Sequence, residues 1–171
     1  MALEQPDPDV LRRAQRGDER AFARIVRTYE TPIFNYIYRI VGDRALAEDL
    51  TQEVFVRVFQ ALPRFSLRCK FTTWLFQVTK NRVLDELRAR ERRPHSVLAI
   101  EALTVDLKMA LLLRDVVGLS YTEIADSLEI TLATVKWRIF KAREEVQASL
   151  AREGITFEDV STVRVAAQPA D

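Results

Sequence analysis

The sequence predicts an all-α protein made of two small helical domains joined by a short linker. Its 171 residues include only 4 glycines and 6 prolines, which disfavours a β-fold with many tight turns. Apolar residues recur at helical spacing through most of the chain. The pattern is broken before Pro94, because the residue that precedes a proline avoids helical geometry. We therefore assign one domain to 1–94, a linker to 95–103, a second domain to 104–154 and a tail to 155–171.

The first domain is predicted to begin with helices separated by short breaks. Apolar spacing indicates helix from Val10 to Tyr29, interrupted at Gly17 and Asp18. Thr31 followed by Pro32 predicts the start of a further helix, with threonine as its cap and proline in its first position. Gly42 is expected to end that helix.

Two longer helices complete the first domain. Asp43 is predicted to cap a helix that runs to about Leu62, just before Pro63. A loop from Arg64 to Lys70 then leads to a helix over about 72–90.

The second domain is predicted from its start and stop signals. A helix over 104–117 is expected to end at Gly118. Ser120 and Glu123 form a capping box, which predicts a short helix to Leu128. After a tight turn, a longer helix is expected over about 132–150.

Composition excludes several classes of function. The 26 Lys and Arg nearly balance the 25 Asp and Glu, and 48% of residues are hydrophobic, as in globular proteins. One cysteine, Cys69, and one histidine, His95, provide neither an internal disulfide nor a Cys/His zinc site. The longest apolar run, 109–113, is too short to span a bilayer, and the first residues have no signal-peptide core. We therefore expect a cytoplasmic protein. We also expect that it is not an enzyme and has no cofactor, because no nucleophile–base pair or metal cluster is recognisable in the sequence.

A helix-turn-helix motif is predicted over 121–140. Apolar residues are spaced as in two short helices that cross steeply, and the second helix is basic. Its first turn would face base edges in a DNA major groove, and its cations would hold phosphates. The alternative is a helical hairpin that packs on another protein.

The segment 64–93 carries nine cations and three anions, a net charge of +6 on a chain whose total is +1. One face of its helix combines Trp74, Gln77, Asn81, Asp85 and Arg88. Aromatic rings stack on unpaired bases, amides read base edges and cations hold the backbone, so this face suits single-stranded nucleic acid. The alternative is that Trp74 belongs to the core and the charges are simply solvated.

An acidic surface is predicted at the start of the third long helix. The segment 43–53 carries four anions and one cation, Arg44; the anions are Asp43, Glu48, Asp49 and Glu53. DNA would be repelled there, so any partner would be a protein. An ordinary exposed acidic face is the alternative.

Taken in order, these three segments resemble bacterial RNA polymerase sigma factors of the extracytoplasmic-function (ECF) group of the sigma-70 family. The stretch 49–55 is similar to the family's polymerase-binding helix in sigma domain 2. The stretches 71–76 and 81–88 are similar to its promoter-melting and −10-reading region, and 118–138 to the −35-reading motif of sigma domain 4. The likeness covers about residues 8–152.

The resemblance implies a transcription-initiation subunit that binds core RNA polymerase (its β and β′ subunits) and promoter DNA, and that is held inactive by an anti-sigma protein. The implied polymerase-binding residues are Asp49, Gln52, Glu53 and Phe55. The implied −10 residues are Arg68, Lys70, Phe71, Trp74, Gln77, Lys80, Asn81 and Arg88. The implied −35 residues are Thr131, Leu132, Ala133, Thr134, Lys136, Trp137, Arg138 and Lys141.

Several features depart from the family pattern. Ala133 and Trp137 replace the glycine and serine that are common in the recognition helix, and Glu129 replaces a turn glycine. The nine-residue linker spans about 30 Å when extended, less than one duplex turn of about 34 Å. Two alternatives stay open: a polymerase-independent helix-turn-helix regulator, and an inactive sigma-like decoy for an anti-sigma protein.

Overall fold

The computed structural model describes residues 3–90 and 103–152, and these residues are helical with no strand. The predicted all-α class is confirmed. The helices are α1 (Pro8–Gln15), α2 (Glu19–Val41), α3 (Arg44–Ala61), α4 (Phe71–Arg90), α5 (Val105–Leu112), α6 (Tyr121–Leu128) and α7 (Leu132–Arg152). A 3-10 turn, Leu62–Arg64, follows α3, and a π-helical turn, Leu113–Val117, continues α5. The predicted linker, apart from Leu103, and the predicted tail lie outside the described residues.

The predicted helix start at Thr31 is wrong, because α2 continues through it and carries Pro32 in its interior. An interior proline removes one backbone hydrogen bond and costs about 3 kcal/mol. The helix persists because Tyr29, Ile33 and Ile37 on one face are fully buried against the rest of the domain. Tertiary packing therefore outweighs the local signal.

The other predicted helix signals are confirmed. Asp18 and Asp43 accept hydrogen bonds from the first turns of α2 and α3. Gly42 and Gly118 adopt left-handed backbone geometry, with φ of 72° and 83°, where α2 and the π-helical turn end. Ser120 and Glu123 close the predicted capping box at the start of α6.

The two halves of the chain share one hydrophobic core. Ile37 and Leu50 from the first half belong to the same buried cluster as Met109, Ile124 and Val135 from the second. Helix α6 packs along α4, and α5 reaches α2. A smaller cluster of Leu103, Leu107 and Ala142 joins α5 to α7. None of the described helices is long and apolar enough to cross a membrane.

Candidate nucleic-acid and protein interfaces

Helix α3 presents the predicted acidic surface. Leu50 and Val54 are fully buried, which turns Asp49, Gln52 and Glu53 toward solvent. Phe55, predicted with them, is only 7% exposed and packs in the core. We call the exposed residues Asp49, Gln52 and Glu53 the acidic strip. Phe55 is buried and packs beneath this strip.

One member of this strip is linked to α4. Arg82 donates to Glu53, and its second donor reaches Glu86 at 3.0 Å. Hydrogen bonds from Arg90 and Arg82 hold the pKa of the Glu86 carboxyl below its ordinary value. Arg57 on α3 also pairs with Asp85 on α4, at 3.4 Å. These ion pairs join the acidic helix to the helix that carries the predicted −10 residues.

An apolar groove of about 720 Å³ lies between α2 and α3, next to the acidic strip. Its walls include Phe22, Phe34 and Phe55, and Val56 and Phe59 are 56% and 42% exposed. Sequence reasoning missed this groove. The available signal was Val56, an apolar residue at the same helical face as Asp49, Gln52 and Glu53.

Phe65, in the loop before α4, and the first turn of α4 contribute to one cluster of aromatic rings. The centroid of Trp74 lies 4.8 Å from that of Phe65 and 5.8 Å from that of Phe71. Phe71 is 2% exposed, and Trp74 is half-buried. Both predicted base-trapping rings therefore take part in packing, with Trp74 at the surface of the cluster and Phe71 beneath it.

The predicted polar −10 residues separate into two sets. Arg68, Asn81 and Arg88 are exposed. Lys70, Gln77 and Lys80 donate hydrogen bonds to the helix-turn-helix, although the Lys70 side chain stays 60% exposed. The structure thus brings half of the predicted surface against the second domain.

Three hydrogen bonds join these residues to the helix-turn-helix. The Lys70 ammonium donates to Glu123 at 2.7 Å, the Gln77 amide to Glu129 at 2.7 Å and the Lys80 ammonium to Glu129 at 2.9 Å. These bonds from Lys80 and Gln77 hold the pKa of Glu129 below its ordinary value. Burial raises the pKa of Glu123, but the bonds from Lys70 and Ser120 outweigh it and the net shift is downward.

The helix-turn-helix has the predicted form. Ile124 and Val135 are fully buried where α6 and α7 cross, and the Thr131 hydroxyl accepts from the Thr134 amide at 3.2 Å. That hydrogen bond caps the start of α7, so Thr131 and Thr134 stabilise the first turn of this helix. The turn residue Glu129 has φ of 57° and ψ of 44°.

The first turns of α7 expose most of the predicted −35 residues. Leu132, Ala133, Lys136 and Trp137 face solvent, and Trp137 is 59% exposed. Arg138 is half-buried and pairs with Asp106 at 3.3 Å; Lys141 pairs with Glu144 at 2.7 Å. Phe140, 67% exposed, extends this surface and was not among the predicted −35 residues.

Comparison with known proteins identifies the family. The model of Sigma-70 region 2 matches residues 25–93, and that of Sigma-70, region 4 matches 97–146. The chain is 33% identical to the RNA polymerase sigma-H factor of Pseudomonas aeruginosa over 186 residues, covering 88% of this chain and 96% of that protein. It is also 30% identical to the ECF RNA polymerase sigma-E factor of Escherichia coli K12, covering 85% of this chain and 95% of that protein. The chain belongs to the ECF group of the sigma-70 family.

Solved structures agree with this assignment. CnrH in complex with the cytosolic domain of CnrY matches with a TM-score of 0.74 at 25% identity, covering 86% of this chain and 98% of that one. The sigma factor RpoE of Bartonella quintana, solved with the anti-sigma factor NepR, shares the fold with a TM-score of 0.70 at 21% identity, covering 76% and 96%. The predicted family is confirmed, and a sigma factor is supported over an independent regulator or a decoy.

Proposed function

We propose that this sigma factor binds core RNA polymerase through the acidic strip of α3 and directs it to a particular set of promoters. The observation that carries the proposal is the exposure of Asp49, Gln52 and Glu53 on one face of α3. Carboxylates on such a face suit a cationic protein surface and repel DNA. The neighbouring apolar groove would extend the contact to the β and β′ subunits.

The two DNA surfaces divide the recognition of the promoter. The loop and α4 would hold unstacked −10 bases, with Trp74 as the stacking ring and Asn81 as the base-edge reader. Phe71 would act by positioning Trp74, because it is buried beneath that ring. Arg68, Lys70, Lys80 and Arg88 would hold the backbone, and Gln77 would contribute a second amide.

The exposed first turns of α7 would bind the −35 duplex. Leu132, Ala133 and Trp137 would contact base edges, while Lys136, Arg138 and Lys141 would hold phosphates. Thr131 and Thr134 would set the start of the helix in the groove. Such a subunit works where polymerase and chromosome are, in the cytoplasm, and needs neither a cofactor nor catalytic residues of its own.

An anti-sigma protein is the further partner that we propose. Two structurally similar sigma factors were solved with such partners, the cytosolic domain of CnrY and NepR. The exposed apolar groove between α2 and α3 supports a protein partner there, because exposed apolar surface of this size marks interaction sites.

Co-elution with bacterial core polymerase on size exclusion, followed by run-off transcription on genomic fragments, tests the function. Wild-type protein is expected to co-elute and to produce new transcripts. Asp49→Arg is expected to abolish co-elution, because it reverses a charge in the strip. Glu144→Arg is the matched control, since it makes the same change at an exposed helical carboxylate in the other domain. Absence of wild-type co-elution together with tight duplex binding by the free protein would overturn the proposal.

A second variant tests the division of labour. Lys136→Ala is expected to leave co-elution intact and to weaken binding of holoenzyme to upstream duplex DNA, with a smaller dependence on salt. Equal loss of polymerase binding in Lys136→Ala and Asp49→Arg would contradict the separate roles.

A further inference from the structure

The side of α7 that faces away from the core is apolar at its centre. The inner side of this helix is marked by its buried residues, which are Val135, Ile139 and Ala142. Ala133, Trp137 and Phe140 follow one another four and three positions apart, so they share the opposite, exposed face. We call these three residues the apolar stripe. A recognition helix that enters a major groove presents such a face to the base edges.

The polar side chains beside the apolar stripe already have partners. The hydroxyls of Thr131 and Thr134 bond to each other at 2.8 Å. Arg138 pairs with a carboxylate of α5 at 3.3 Å, and Lys141 pairs with a carboxylate of its own helix at 2.7 Å. These two cations can exchange a carboxylate for a phosphate without loss of charge pairing, whereas a neutral base edge offers a weaker bond. The stripe itself contributes one polar group, the indole N–H of Trp137.

An apolar surface distinguishes base pairs by the methyl group of thymine. In the major groove, thymine alone among the four bases carries a C5-methyl group, and the other groups that identify a base pair there are hydrogen-bond donors and acceptors. Apolar side chains contact this methyl group favourably. Against a polar base edge, the same side chains would leave a donor or an acceptor without a partner. The apolar stripe therefore favours duplex in which thymine methyl groups face α7.

We propose that Trp137 is a specificity-determining residue, which recognises thymine methyl groups of the −35 duplex together with Ala133 and Phe140. This proposal rests on the −35 role proposed for α7. Lys136 is exposed beside the apolar stripe and would hold a phosphate, so it adds affinity for any sequence. Sequence preference and general affinity are thus properties of different side chains on the same turns of α7.

Replacement of thymine by uracil tests the proposal, because uracil pairs as thymine does and lacks only the methyl group. The full chain assembled with core polymerase first selects duplex fragments from a random-sequence pool. Uracil then replaces thymine at one position at a time in the upstream element of the selected duplex, and affinity is measured by fluorescence anisotropy at fixed salt. We expect the affinity to fall about fourfold at each contacted methyl group, as burial of one such group predicts.

Three variants assign this effect to its side chain. Trp137→Ala is expected to bind the thymine duplex more weakly and to lose most of the discrimination against uracil, since the ring is absent. Trp137→Phe keeps an apolar ring without the N–H and is expected to retain the discrimination. Lys136→Ala is the matched control, expected to weaken binding to both duplexes by the same factor. Both positions are exposed, so we expect all three variants to fold, with circular dichroism as the check.

Three results would overturn the proposal. The first is a selected upstream element without a recurrent thymine, or with equal affinity for its thymine and uracil forms. The second is unchanged discrimination in Trp137→Ala. The third is normal DNA binding by Trp137→Ala together with loss of polymerase binding, because the apolar stripe would then be a protein contact.

Failure of the proposed function gives a different pattern. If the chain does not bind polymerase but selects duplex by itself, the same uracil series is measured with the free chain. Discrimination that depends on Trp137 would then uphold the thymine contact, although the chain would not act as a polymerase subunit. A chain that selects no duplex, with or without polymerase, would refute both proposals.

Discussion

Tyr36 offers a sharp test of the packing that places α4. Its side chain is 1% exposed, and its hydroxyl oxygen has no hydrogen-bond partner among the described residues. The ring meets Phe76 of α4 edge-on, with centroids 5.4 Å apart. Tyr36→Phe removes the oxygen and keeps this aromatic contact. A buried polar group without a partner costs about 1–3 kcal/mol, so we expect the free energy of unfolding to rise by about 1 kcal/mol.

Tyr29→Phe is the matched control. Tyr29 is equally buried, but its hydroxyl donates to the carbonyl oxygen of Glu4. Burial and the nearby Glu4 raise the pKa of Tyr29 to about 12, so the hydroxyl stays protonated and able to donate. Removal of this oxygen leaves a carbonyl without its donor, and we expect a loss of about 1 kcal/mol.

Urea unfolding followed by circular dichroism measures both variants. The slope m should be unchanged, so that the shift in midpoint reports stability alone. The reasoning is refuted if Tyr36→Phe loses 1 kcal/mol or more, or if both variants move in the same direction. Either result would mean that the Tyr36 hydroxyl has a favourable role in the fold.

Three other predictions concern helix ends and pH. Ser120→Ala removes one half of the capping box of α6, and urea unfolding should show a loss of about 1 kcal/mol. Gly42→Ala places a side chain at φ of 72°, a strained backbone geometry for alanine, and should lower the free energy of unfolding by about 1 kcal/mol in the same urea assay. The pKa values of Glu86 and Glu129 are lowered from 4.5 by their cationic and amide partners, so their contribution is complete above about pH 4.5 and is lost as pH falls through the lowered values. Urea midpoints recorded from neutral to acidic pH should fall accordingly, and a midpoint that rises on acidification would contradict the assignment.

Local signals predicted most helix ends, because capping and glycine geometry depend on few neighbouring residues. Asp43, Gly118 and the Ser120–Glu123 box illustrate this. Pro32 shows the limit: the same local rule placed a helix start there, and burial on both sides of it kept α2 continuous. The family was recognisable because three motifs of distinct chemistry occur in a fixed order.

The contacts between the domains were not predictable from spacing. Gln77 was assigned to a nucleic-acid surface by helical periodicity, and Lys80 by the resemblance to sigma factors. Periodicity gives the face of the helix on which a residue lies but not what covers that face. Glu129 stood out in the sequence only as an unusual turn residue. Its partners became visible when the fold brought together residues about fifty positions apart along the chain.

One buried cluster contains both Ile37 of the first half and Val135 of the second, and this has a consequence for how the molecule melts. Two domains with separate cores would absorb heat in two steps, one for each. Here α4 packs on α6, and α2 packs on α5. Unfolding of either half would therefore expose the apolar surface of the other half to water. Calorimetry of the free protein should therefore give one cooperative peak, with a van't Hoff enthalpy equal to the calorimetric enthalpy. The cooperative unit is the pair of domains, although each is matched by a family model of its own.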